Sequence, residues 1–231
     1  MALAAPAPAP PRPQRQRRKQ ARPQELIDAA LALFVERGFA ATRMEEVAAL
    51  AGVSKGTLYL YYPSKQELLK AVIRERLSSQ IQAIAAEVAQ HEGSYAELLR
   101  ELFARWWLEA YDDPASGVFK LVITEVRGFP DIAEFYQREV VAPGQQLIGA
   151  IVARGIASGE FRKVDVEAAV HSLVLPMVMH CVHKHLLGAC APIESLLEPG
   201  RFVHQHIDII VRGLLAHPPA APAGAKNKKH P

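Results

Sequence analysis

The chain has 231 residues, 50% hydrophobic and 22% charged, enough for a buried core in one large domain or in a small domain beside a larger one. Two cysteines, Cys181 and Cys190, exclude a disulfide framework and make a reducing cytoplasm the simplest setting. The net charge of +3 conceals an asymmetry: residues 1–22 and 217–231 hold nine cations and no acid, leaving 18 of the 27 basic residues against all 24 acidic ones in the body.

Residues 1–22 are Pro/Ala-rich, then Arg/Gln-rich, without hydrophobic periodicity, and are expected as a disordered basic arm. Their charges follow a short Ala/Pro stretch, the reverse of a secretory signal. Order is expected from Pro23. Leu26, Ile27, Ala30, Leu31 and Phe34 recur at helical spacing, and Gly38 stands where a helix-ending glycine belongs. Thr42-Arg43-Met44-Glu45 reads as a capping box opening a second helix that buries Val47, Ala48 and Leu50. Ser54 caps a third helix, from Lys55 to about Tyr61, which Pro63 ends. Ser64 caps a fourth that runs towards residue 90. Five more helices are expected at roughly 94–111, 115–127, 131–158, 165–188 and 198–216, the last four set off by Pro or Gly punctuation. The tail 217–231, rich in Pro, Ala and Lys, is expected as disordered.

No alternating strand pattern and no internal repeat occurs, so the expected fold is all-α with about nine helices: a three-helix domain at 23–70 and a larger helical domain at 71–216. The most apolar stretch, "AAVHSLVLPMVMHCVHKHLL", is interrupted by His171, Pro176, His180, His183 and Lys184, which makes it a poor membrane span.

Helix, glycine-containing turn and helix across residues 44–61 is the arrangement of a helix-turn-helix. Gly52 permits a left-handed backbone in the turn, and Leu58 and Tyr62 face inward. Lys55, Gly56, Thr57, Tyr59 and Leu60 then occupy the N-terminal end and outer face of a short helix that can enter a DNA major groove. Lys55 can bond a guanine or a phosphate. Gly56 allows close backbone approach, and Thr57 can meet a base edge or a thymine methyl. Tyr59 and Tyr61 offer hydroxyls to phosphates. Thr42 and Arg43, at the start of helix two, and Lys65, just inside helix four, are candidate phosphate contacts. Leu60 is a methyl contact or a spacer.

The stretch "ELIDAALALFVERGFAATRMEEVAALAGVSKGTLYLYYPSKQELLKAV", with its Gly-Phe after helix one, its Thr before helix two, its "AGVSKGTLY" turn and its "YYPSK" end, resembles the DNA-binding domain of the TetR family of bacterial repressors. Carried over by position, the resemblance implies DNA contacts at Thr42, Arg43, Lys55, Gly56, Thr57, Tyr59, Leu60, Tyr61 and Lys65. Leu60 departs from the family pattern, which is more often polar or aromatic there. Beyond residue 90 the resemblance implies a helical effector-binding and dimerisation domain whose last two helices pair with their copies. Expected partners are therefore a double-stranded DNA operator, a small apolar effector and a second copy of the chain, with no cofactor and no membrane. Candidate pocket residues are Phe103, Trp106, Trp107, Phe119, Val122, Phe135, Met177 and Met179. Pro176 interrupts helix eight and frees the carbonyl of Ser172.

Three other readings compete. His180, Cys181, His183, His185 and Cys190 crowd helix eight, and His204 and His206 lie on helix nine, so a metal- or redox-sensing regulator is one alternative. An architectural DNA binder that uses its basic arms is another. An enzyme is the third, but Gly155 and Gly159 form no phosphate loop. Glu125, Arg127 and Asp131 suit a structural ion cluster, and no nucleophile with a positioned base is found.

Overall fold

A computed structural model describes residues 14–125, 128–186 and 198–216. Its described residues form nine helices and no strand: α1 (Gln14–Arg37), α2 (Met44–Leu50), α3 (Lys55–Tyr61), α4 (65–89), α5 (95–112), α6 (Gly117–Glu125), α7 (Pro130–Ala157), α8 (Val166–Leu186) and α9 (Pro199–Leu214). They divide into two compact units, up to Val72 and from Ile73 onward. Cys190, Arg127 and the tail 217–231 lie outside the described residues.

In the first unit, Leu26, Ala30 and Phe34 of α1, Val47 of α2, Leu58 of α3 and Leu68 of α4 are completely or almost completely withdrawn from solvent. Burying each large side chain stabilises the unit by about 1.5–3 kcal/mol. Gly38 ends α1 at φ 90°, its amide donating to the Phe34 carbonyl at 3.0 Å. Gly52 makes the turn between α2 and α3 at φ 65°. Two expectations need correction. Helix α1 begins at Gln14, so residues 14–22 continue the helix where a disordered arm was expected; Gln, Arg, Lys and Ala are all good helix formers. Leu50 is exposed, because the face carrying Met44, Val47 and Ala48 already fills the interior.

In the second unit, α4, α5 and α7 each contain one wider π turn, at Arg74–Ser78, Leu99–Phe103 and Gln137–Val141. The last lies just before Pro143, whose ring crowds the carbonyl of Glu139 and which has no amide to donate to it. Helices α7 and α8 are long and apolar enough to cross a membrane by length and composition. Within the fold they pack on each other and bury Ile151, Val152, Leu173 and Met177. The Ser172 carbonyl freed by Pro176 finds a substitute donor: His206 of α9 donates its Nε2–H to it at 3.1 Å.

Two fastenings, one local and one long-range, hold this part of the unit. Phe161 lies against Gly155, where an added Cβ would come within 2.2–2.4 Å of the ring. Glu160 reaches the N-terminus of α5, accepting from Ser94 Oγ at 2.5 Å and from the amides of Tyr95 and Ala96 at 2.8 and 3.0 Å. Burial pushes the Glu160 carboxyl up, but these hydrogen bonds outweigh it and hold its pKa below the usual carboxylate value.

Candidate nucleic-acid interface and effector cavity

Ser54 caps α3, its Oγ accepting from the Thr57 amide at 3.1 Å and lying 2.8 Å from the Thr57 hydroxyl. This fixes the first turn of the helix and leaves Lys55, Gly56, Tyr59 and Leu60 exposed. Leu60 is 82% exposed, the most of any large apolar side chain among the described residues. Thr57 and Tyr61 are half-buried, and Leu58 anchors the opposite face. A Cβ on Gly56 would meet nothing nearer than Ser54 Oγ at 3.9 Å, so packing within the chain does not require a glycine there.

Lys55 is paired with Glu45 of α2 at 2.5 Å, and its ammonium lies 5.7 Å from the Tyr59 ring centroid. The hydrogen bond from Lys55 lowers the Glu45 pKa, and the same bond raises that of Lys55. A helix-turn-helix surface thus presents a cation already half-neutralised by its own α2.

Thr42 and Lys65 stand apart from the other candidate contacts. Thr42 is only 2% exposed, and its hydroxyl donates to the carbonyls of Gly38 and Leu33 at 2.8 and 3.2 Å. With that hydroxyl committed, the cap of α2 shifts by one residue. Arg43 is the N-cap, and Glu46, not Glu45, accepts from its amide at 2.9 Å. Lys65 Nζ donates to the carbonyls of Phe39, Ala40 and Thr42 at 2.7, 3.0 and 2.8 Å and sits 4.7 Å from the Phe39 ring centroid. All three of its protons are taken. Both side chains fasten the α1–α2 connection. The Arg43 guanidinium, by contrast, belongs to an exposed residue at the start of α2.

The second unit encloses a cavity of about 240 Å³ between α4, α5, α6, α7 and α8. Trp106, Trp107, Phe119 and Val122 line it, as the sequence predicts. The other four candidates do not. Phe103 lines a smaller cleft of about 30 Å³ beside Trp106. Phe135 is buried under the guanidinium groups of Arg74 and Arg138, Met177 belongs to the core, and Met179 is exposed. Sequence reasoning missed Gln80, Tyr136, Gln145 and His171, which supply polar atoms to a mainly apolar lining. Their signal was weak: Gln145 and His171 interrupt apolar runs on α7 and α8.

Of the α8 residues, His180, Cys181 and His185 have packing environments, while the buried Nε2 of His183 has no hydrogen-bond partner among the described residues. His180 stacks between Tyr111 and Phe202, with ring centroids 4.9 and 4.7 Å away, and Phe202 stacks in turn on His206. His185 Nε2 meets Ser116 Oγ at 2.7 Å. Cys181 is fully buried, and burial pushes its thiol up to about 12, against a smaller opposing effect of Lys184. A thiol so protonated is a poor nucleophile and a poor redox sensor.

Comparison with known proteins agrees with this division. Residues 26–72 match the family model described as bacterial regulatory proteins of the tetR family, and residues 89–197 match that of the tetracyclin repressor-like C-terminal domain. The HTH-type transcriptional repressor KstR2 of Rhodococcus jostii is 31% identical over 157 residues, which cover 67% of this chain and 76% of that protein. The fatty acid metabolism regulator protein of Bacillus subtilis is 26% identical over 156 residues, covering 65% and 78%. The crystal structure of FadR from Bacillus subtilis in complex with stearoyl-CoA superposes with a TM-score of 0.69 at 19% identity, covering 83% of this chain and 98% of that one, a likeness of fold. With a helix-turn-helix unit, a cavity-bearing helical unit and matches to both, the chain belongs to the TetR family of DNA-binding transcriptional regulators.

Proposed function

We propose that the chain is a cytoplasmic, dimeric repressor that binds a palindromic operator through α2 and α3 and is released by a small apolar effector held in the cavity of the second unit. The observation that carries the DNA-reading part is the outer face of α3. It exposes Lys55, Gly56, Tyr59 and Leu60 together, and it keeps a glycine that internal packing does not need. Glycine in a helix costs about 1 kcal/mol relative to alanine, which makes sense where a DNA backbone or base edge must come close. Lys55 and Thr57 meet base edges, Arg43, Tyr59 and Tyr61 meet phosphates, and Leu60 meets a thymine methyl. The basic N-terminal segment adds salt-dependent affinity.

A dimer is supported by an apolar stripe on the last two helices, where Leu175 and Met179 of α8 and Ile209 of α9 are 59%, 58% and 68% exposed. Two-fold pairing doubles the bases read by one short helix. Helix α4 holds residues of both units and places Leu77, Gln80 and Ile81 on the cavity wall, so an effector that prefers one setting of α4 shifts the DNA-binding equilibrium. FadR from Bacillus subtilis, solved with stearoyl-CoA, makes a ligand with a long apolar chain the natural class to test. The test is capture of sheared genomic DNA by the purified protein. A few discrete sites sharing an inverted repeat support the reading; uniform retention of all fragments overturns it in favour of an architectural binder.

A further inference from the structure

The cavity contains more information than its apolarity. Among the described residues, no Lys, Arg, Asp or Glu lines it. The polar side chains on its lining are uncharged amides and a phenol, an imidazole and two indoles: Gln80, Gln145, Tyr136, His171, Trp106 and Trp107, the indole nitrogens being buried without a hydrogen-bond partner among the described residues. Gln145 Nε2 lies 3.1 Å from His171 Nε2. The Gln145 amide has both a donor and an acceptor, so either end of it can complement the imidazole nitrogen it faces. The pairing orients both side chains. It leaves the remaining amide group of Gln145 and the second ring nitrogen of His171, both on lining residues, without a partner in that contact.

We propose that the Gln145–His171 pair reads a single uncharged oxygen, of a hydroxyl, ketone or ester, on an otherwise apolar effector, and that the cavity rejects the corresponding carboxylate. This rests on the effector reading above. A carboxylate buried here would lose its hydration with no Lys or Arg on the lining to pair with. A neutral oxygen loses far less and recovers it through donors already held in place. Discrimination by a buried hydrogen-bonding pair exceeds that of an apolar wall, because a ligand lacking the matching group leaves the pair unsatisfied.

The chain supplies its own reporter: its two tryptophans, Trp106 and Trp107, both line the cavity. Intrinsic fluorescence of the full-length protein would be titrated at pH 8 with methyl decanoate and with decanoate, which share chain length and carbonyl and differ in charge. The ester is expected to bind at least about tenfold more tightly, and Gln145→Leu to weaken ester binding by about tenfold, the worth of one hydrogen bond. Gln145→Glu, which keeps the shape and adds a charge, is expected to weaken it similarly. Decanoate binding as tightly as the ester, or ester affinity unchanged in both variants, would overturn the proposed chemistry while leaving the cavity as an effector site. Fluorescence unmoved by either compound would overturn the effector cavity itself.

Discussion

In the first unit all candidate DNA contacts fall within residues 42–65, whereas the cavity of the second unit draws its wall from five helices spread over residues 77–178. The first arrangement is local: helix caps, a left-handed glycine and a four-residue turn set the direction of each side chain within a few positions. The second depends on how distant helices pack. Mutations should therefore separate cleanly in the first unit into those that affect binding and those that affect stability.

The largest expected effect is on the exposed face of α3. Gly56→Leu should reduce operator affinity by about 100-fold, comparable to spoiling a base contact in each half-site, with the melting temperature unchanged or slightly raised. Titration of a labelled operator and a thermal melt on the same sample check both halves. Lys65→Ala should behave in the opposite way. Removing a cation that holds three carbonyls should cost about 1.5–3 kcal/mol of stability, read by denaturant unfolding, with affinity falling only as the folded fraction falls. Gly155→Ala tests the second unit's packing. Its Cβ would collide with the Phe161 ring, and the melt should show a loss of about 1–3 kcal/mol with operator binding retained at low temperature.

The smallest expected effect is that of Glu160→Gln on pH dependence. Because the folded carboxyl has a lowered pKa, its contribution is complete above the usual carboxylate value and is lost as pH falls through the folded one. Melting temperatures from pH 6 to pH 3 should therefore fall less steeply in the variant than in the wild type.

The same contrast explains what could be read from residues alone. Gly38, Gly52, Ser54 and Leu58 have their expected roles because each is decided by neighbours in sequence. The inward hydrogen bonds of Thr42 and Lys65 were not legible, because spacing does not reveal whether a polar side chain turns outward or back onto carbonyls, more than twenty residues away in the case of Lys65. In the cavity, aromatic content found Trp106, Trp107 and Phe119. It could not separate them from Phe135 and Met177, which share the composition and fill the core. Tyr136, Val140 and Gln145 come to one wall next to a π turn that no hydrophobic periodicity marks.

The most direct test of the claim that the outer face of α3 reads sequence is parallel selection from random duplex DNA, at near-physiological salt, by the wild type and by Lys55→Ala. The account expects an enriched inverted repeat from the wild type, its half-sites about one helical turn or a multiple apart. It expects the variant to keep that spacing but lose preference at a discrete position in each half-site. An identical motif from both proteins, or no enriched motif from the wild type, would contradict it.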